Sequence, residues 1–236
     1  TTQINAGRVS TSGTQTYLDN LLATNATVLS ASTVTFGSNV TANSNLTVNG
    51  NVALNTANVT STGFQNYTGQ MLVGVNATLT SGGGITLTSV DSATNSPKSL
   101  NLSLGNNSNL TLNGSIGTVN PLSTLTASAN LTTVGVATDV EIDTISTVLF
   151  NGNIALNKSA SINTTNGNLT FQAGVSSANA SSLNLLTGTG NVSLTQDVTG
   201  LGNLSVSGNY FTVGNVNAYG NVTLSPTTSG NVTGCL

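Results

Sequence analysis

Apolar and polar residues alternate along most of this chain. Leu100-Asn101-Leu102-Ser103-Leu104, Leu110-Thr111-Leu112, Val192-Ser193-Leu194, Leu204-Ser205-Val206 and Val222-Thr223-Leu224 each place every second side chain on one side. That is the period of a strand with one buried face. Asn and Gly interrupt these runs every several residues, as turns between short strands require. No window carries the i, i+3, i+4, i+7 spacing of a long helix. The segment from Tyr17 to Thr24, with Leu18, Leu21 and Leu22, comes nearest, but its counterpart from Tyr67 to Gly74 reads as strand and turn. The pattern therefore predicts an all-β chain.

Short strands suit a sandwich, a barrel or a solenoid, and internal repetition separates them. Gly13-Thr14-Gln15-Thr16-Tyr17, Asn25-Ala26-Thr27-Val28 and Val34-Thr35-Phe36 return as Gly63-Phe64-Gln65-Asn66-Tyr67, Asn76-Ala77-Thr78-Leu79 and Ile85-Thr86-Leu87. A shorter unit, apolar-Thr-apolar with another apolar residue soon after, recurs at Val34, Leu46, Leu110 and Leu169. Short units separated by variable insertions are what stacked coils produce, because each coil meets mainly its neighbours and insertions leave as loops. The expected architecture is a parallel β-helix, or β-solenoid, of roughly 20-residue coils, about 11 coils in a rod of about 50 Å. One domain is expected over residues 1–236, with clear repeats in 1–50 and 51–120, weaker ones in 121–236, and ends that lack a charged or helical cap. Such ends would belong to a piece of a larger chain or to a protomer stacked head to tail.

Composition fits an uncharged stack. Thr, Asn, Ser and Gly number 41, 35, 29 and 26 of 236 residues, whereas Lys and Arg together number 3 and Asp and Glu 6. The 37% apolar content separates the chain from a disordered polar tract. With no histidine and one cysteine, a Ser-His-Asp triad lacks its base and a thiolate zinc site lacks its ligands. Three basic residues cannot displace a nucleic acid's counterions. No run of 18 apolar residues is present, so membrane insertion is not expected.

The residues Thr1 to Tyr17 and Leu112-Asn113-Gly114-Ser115-Ile116-Gly117-Thr118-Val119 through Leu125 resemble the repeats of filamentous-haemagglutinin-like adhesins, very large bacterial surface proteins often exported by two-partner secretion. The resemblance spans about residues 1 to 175 and is one of repeat style, without a secretion-domain signature. It implies a right-handed parallel β-helix, an extracellular location, an adhesive or scaffolding role and no catalytic residues.

A few residues are candidates for chemistry. Asp139-Val140-Glu141-Ile142-Asp143 places three carboxylates on one side of a strand. Neighbours i and i+2 lie roughly 7 Å apart, a spacing compatible with a calcium site or a glycosidase pair but also with a merely solvated outer face, which is the reading preferred here. No cofactor is expected. Nineteen Asn-X-Ser/Thr sequons include Asn25, Asn45, Asn76, Asn109, Asn168, Asn191 and Asn221. They mark a glycosylated surface, or they arise because a corner Asn, an inward apolar residue and an outward Thr spell the sequon by themselves. Cys235, the only cysteine, is a packing residue near the terminus or an intermolecular disulfide partner. The aromatics are expected to fill core or corner positions, Tyr210 to Tyr219 being the one grouping that could instead form a sugar platform, and the segment from Val90 to Ser99 is the longest irregular stretch and the place for a binding loop. The function expected is that of a secreted, non-enzymatic structural solenoid that builds a cell-surface fibre by self-association. The alternative is an adhesive segment of a larger protein that recognises a cell-surface ligand.

Overall fold

The alternating segments become short strands because each buries one side and corners absorb the Asn and Gly. The structure, a computed structural model, describes residues 1–93 and 96–235 and holds no helix among them. All strand pairs are parallel, and successive turns of the chain lie about 20 residues apart in a β-solenoid of about 11 turns. Each turn visits three faces. The first face begins with Thr2–Ile4, Leu21–Ala23 and Val40–Ala42, so the segment that came nearest to a helix is strand. The second begins with Arg8–Ser10 and the third with Thr14–Tyr17. In the next turns one long strand, such as Thr27–Phe36 or Leu46–Leu54, bends from the second face into the third. Its register shifts at the bend between Ser30 and Thr33.

Inside, equivalent residues stack in columns. Leu21, Val40, Val59, Leu79, Leu102, Ala127, Phe150, Phe171, Leu194 and Val213 follow one another up the first face. Val34, Val52, Met71 and Val90 rise on the third. These side chains form one core running the length of the rod, each contributing about 1.5–3 kcal/mol by leaving water. Phe150 and Phe171 stack at 5.5 Å between ring centroids.

The matched repeats do not lie over one another. Tyr17 pairs with Phe36 on the third face, whereas Tyr67 pairs with Val48 and Leu87 on the second. The second copy thus re-enters two turns and two faces further along, and the repeat is not itself the unit that stacks. Every face has the same inward-outward rhythm, so a sequence that fits one face fits the others. The local bonding is nevertheless copied. Gln15 Nε2 donates to Val9 O (3.2 Å) and Ser30 O (2.9 Å), and Tyr17 Oη donates to Gln15 Oε1 (3.1 Å). Gln65 Nε2 donates to Val59 O (3.4 Å) and Thr80 O (2.8 Å), and Tyr67 Oη donates to Gln65 Oε1 (2.9 Å). Each glutamine plugs the inside of a corner and satisfies carbonyls from two coils.

The first and second faces run through every turn, but the third narrows in the sixth. Between Ile85–Ser92 and Val140–Thr144 it is carried by single-residue bridges, Val90 to Ile116 to Ile142, and Leu122 to Thr144. The buried Ile116 and Leu122 carry the core through that turn. The chain beyond it is held by Asp91, a buried carboxylate whose Oδ1 accepts from Val119 N (3.0 Å) and Asn120 N (3.2 Å) and whose Oδ2 accepts from Gln70 Nε2 (2.8 Å).

Candidate functional site on the third face

The outer side of the third face above the narrowing concentrates the chain's acids. Strand Val140–Thr144 buries Val140 and Ile142 and turns Glu141 and Asp143 outward, with Asp139 at the preceding corner, as the alternation predicted. Above it stack Ala160–Thr164 and Leu183–Thr187. Their outward residues are uncharged, Ser161, Asn163, Asn184 and Leu186, and beside them runs an open groove of about 490 Å³, lined by Asp139, Glu141, Ser161, Asn184, Asn203 and Ser205 among others. Such a trough offers hydroxyls, amides and two carboxylates to a polar chain laid along the rod.

The carboxylates are already engaged with the next coil. Asp139 Oδ1 accepts from Ser159 N at 3.0 Å, while Asn163 Nδ2 donates to both Glu141 Oε1 (3.2 Å) and Asp143 Oδ1 (2.8 Å). The calcium reading required all three to converge. Among the described residues no group of three or more potential Asp, Glu, His or Cys ligands comes together; Asn163 bridges Glu141 and Asp143, and Asp139 bonds separately at the corner.

The sequon asparagines lie at corners and strand starts, Asn45 half-buried and the other six exposed. Asn25 Nδ2 donates to Asn5 O (2.9 Å). Asn45, Asn76 and Asn168 accept through Oδ1 from Phe64 N (3.0 Å), Ser99 N (3.0 Å) and Asn191 N (2.9 Å). These amides tie one coil to the next, the ladder role that writes sequons without a sugar. The side chains of Asn109, Asn191 and Asn221 stand outside this ladder, with no such bond assigned to them. Cys235 is free and exposed, and its backbone N donates to Asn215 Oδ1 (3.0 Å).

The aromatics from Tyr210 to Tyr219 form no platform: Tyr210 looks out from the first face, Phe211 is buried in the core, and Tyr219 stands at a later corner, 80% exposed. The segment from Val90 to Ser99 is not irregular from its start, since Val90, Asp91 and Ser92 complete a strand and are buried. Thr94 and Asn95 lie outside the described residues. Lys98 N donates to Ser92 Oγ (2.9 Å) and Lys98 Nζ to Ser96 Oγ (2.7 Å), so the far side of this excursion folds back on the coil. Sequence reasoning put Asp91 in a candidate binding loop, whereas it is buried and bonded to the next coil, and gave the two corner glutamines no role. The shared Gly-X-Gln-X-Tyr spacing at Gly13 and Gly63 was the available signal for the latter.

Burial raises the phenol pKa of Tyr67 well above its ordinary value, and that of Tyr17 in the same direction. Among the described residues no helix is long and apolar enough to cross a membrane. The fold defines the class: a parallel β-solenoid repeat protein. The chain matches no protein-family model, no curated protein and no solved structure. Nothing beyond the shared architecture therefore ties its repeats to the filamentous-haemagglutinin lineage in particular.

Proposed function

We propose that this chain is a structural rod of an extracellular surface, non-catalytic, lengthened coil upon coil. The observation that carries the reading is the use made of its side chains. Inward residues form one continuous column core, and the corner amides and hydroxyls bond mainly from coil to coil. Almost no charge is left over for a substrate. The outer edge of Val222–Val232, paired on one side to Leu204–Val213, offers a parallel row for a further coil, supplied by a longer chain or by a second copy. Electron microscopy of the purified chain with time and concentration tests this: rods growing in multiples of one length support it, and single rods that never lengthen at any concentration refute self-extension.

A second reading, an adhesive segment, is favoured by the groove beside Glu141. Its test is saturable binding to immobilised glycans that Glu141→Gln and Asn184→Ala weaken. Removing the segment from Val90 to Ser99 is no test of this reading, because Asp91 within it holds the Val119 and Asn120 amides.

A further inference from the structure

The nine charges are distributed unevenly around the rod. Asp91, Glu141 and Asp143 belong to the third face and Arg8 to the second, while Asp19, Lys98, Asp139, Lys158 and Asp197 occupy corners and loops. The first face has none among its outward positions. Two overlapping columns cover it. One runs Gln3, Leu22, Thr41, Thr60, Thr80, Ser103 and Ser128. The other continues through Thr126, Leu149, Thr170, Ser193 and Thr212. Most of these side chains are small and hydroxyl-bearing, with Gln3, Leu22 and Leu149 among them and Asn101, Asn191 and Tyr210 outward beside them, on a sheet that runs through every turn.

We infer that the first face is an interface between two copies of this chain laid side by side. Charges on a sheet surface repel a second sheet, and this face carries none along its whole length, whereas the second keeps Arg8 and the third Glu141 and Asp143. Its rows repeat at about 4.8 Å, and a second copy is the one partner with the same pitch throughout, so hydroxyl and methyl rows that fit once fit along the whole rod, as in dry sheet-to-sheet interfaces. The size is sufficient. A strip about 50 Å long and about 13 Å wide, set by coil spacing and strand rise, buries about 650 Å² per copy and about 1,300 Å² in total, above the roughly 1,000 Å² that a specific interface needs. A like-on-like contact of this kind is two-fold and uses the same strip on both copies, so residues near the middle of one meet the middle of the other whether the two-fold axis lies along the rods or across them. This contact is independent of end-to-end growth.

The test uses the full chain with Cys235→Ser, so that no native thiol interferes. Asn101→Cys, at the outward middle of the first face, is expected to form a disulfide-linked dimer under mild oxidation, whereas Thr111→Cys on the second face is not. Thr41→Lys, Thr126→Lys and Thr170→Lys together are expected to convert the pair to monomers in sedimentation velocity, with retained circular dichroism showing that the fold survives. Lysines at Thr47, Thr111 and Thr199 on the second face are expected to leave the pair intact. A chain that stays monomeric up to about 100 μM, a weak-affinity range, overturns the inference, as do equal effects of the two lysine sets or equal cross-linking at both cysteines. A polysaccharide or other protein found on a first face that never pairs also overturns it. In micrographs, rods that lengthen without doubling in width overturn this contact and leave the fibre standing, while rods that double without lengthening do the reverse.

Discussion

Replacing Tyr67 by Phe removes one oxygen from a fully buried corner and tests whether the glutamine plugs hold the coils. Tyr67 is 0% exposed, and its hydroxyl is the donor to Gln65 Oε1 at 2.9 Å. Gln65 cannot turn to find another partner without abandoning Thr80 O, which accepts from its Nε2 at 2.8 Å. The variant therefore leaves a buried acceptor unsatisfied, at a cost of about 1–3 kcal/mol. Tyr17→Phe deletes the equivalent bond at a half-exposed site where water replaces the phenol, and its expected effect is below about 1 kcal/mol. Stacked repeats need not unfold in one step, so the assay is native-state hydrogen exchange across residues 58–87, which reports local opening. Tyr67→Phe is expected to speed exchange there about tenfold, the factor that corresponds to about 1.4 kcal/mol. Equal responses to the two substitutions, or no acceleration at Tyr67, would refute the argument that burial gives this motif its strength.

The same phenol makes the rod sensitive to alkali. Its pKa is raised in the folded chain, so the contribution is whole below the unfolded phenol value of about 10 and is lost as pH climbs toward the folded value. Melting temperature should fall above pH ~10, less steeply in Tyr67→Phe. Gly50→Ala should destabilise by more than about 1 kcal/mol in thermal or urea melts, because Gly50 has φ +130° and an added Cβ would collide with Ala31 O. Phe150→Ala, which hollows the stack with Phe171, should cost about 3–5 kcal/mol in the same melts. Asp91→Ala should release the chain beyond Ile116, seen as faster exchange of the Val119 and Asn120 amides than of those in Ala160–Thr164.

Alternation made the strands and the solenoid legible, because a period of two with one apolar side maps directly onto a stacked coil. Leu110-Thr111-Leu112 and Leu204-Ser205-Val206 lie in strands with the inward residues as expected. Phase around the rod was not legible. Tyr17 and Tyr67 look equivalent in sequence, yet corner length, not side-chain type, decides which face a segment reaches. The narrowing at the sixth turn was hidden because Ile116 and Leu122 keep the apolar rhythm without neighbouring strand residues. The acids at Asp139, Glu141 and Asp143 could be placed near one strand, but their partner Asn163 comes from the next coil, a contact that local spacing does not encode.

The displacement of Tyr67 from Tyr17 by two turns and two faces bears on how such a chain grows. A copied block that is not a whole number of coils is reinserted turned by a third of the circumference, and the core accepts it because every wall asks for the same residues. Lengthening the gene thus also rotates its surface decoration. A feature that the first copy carries on one side is carried by the second on another.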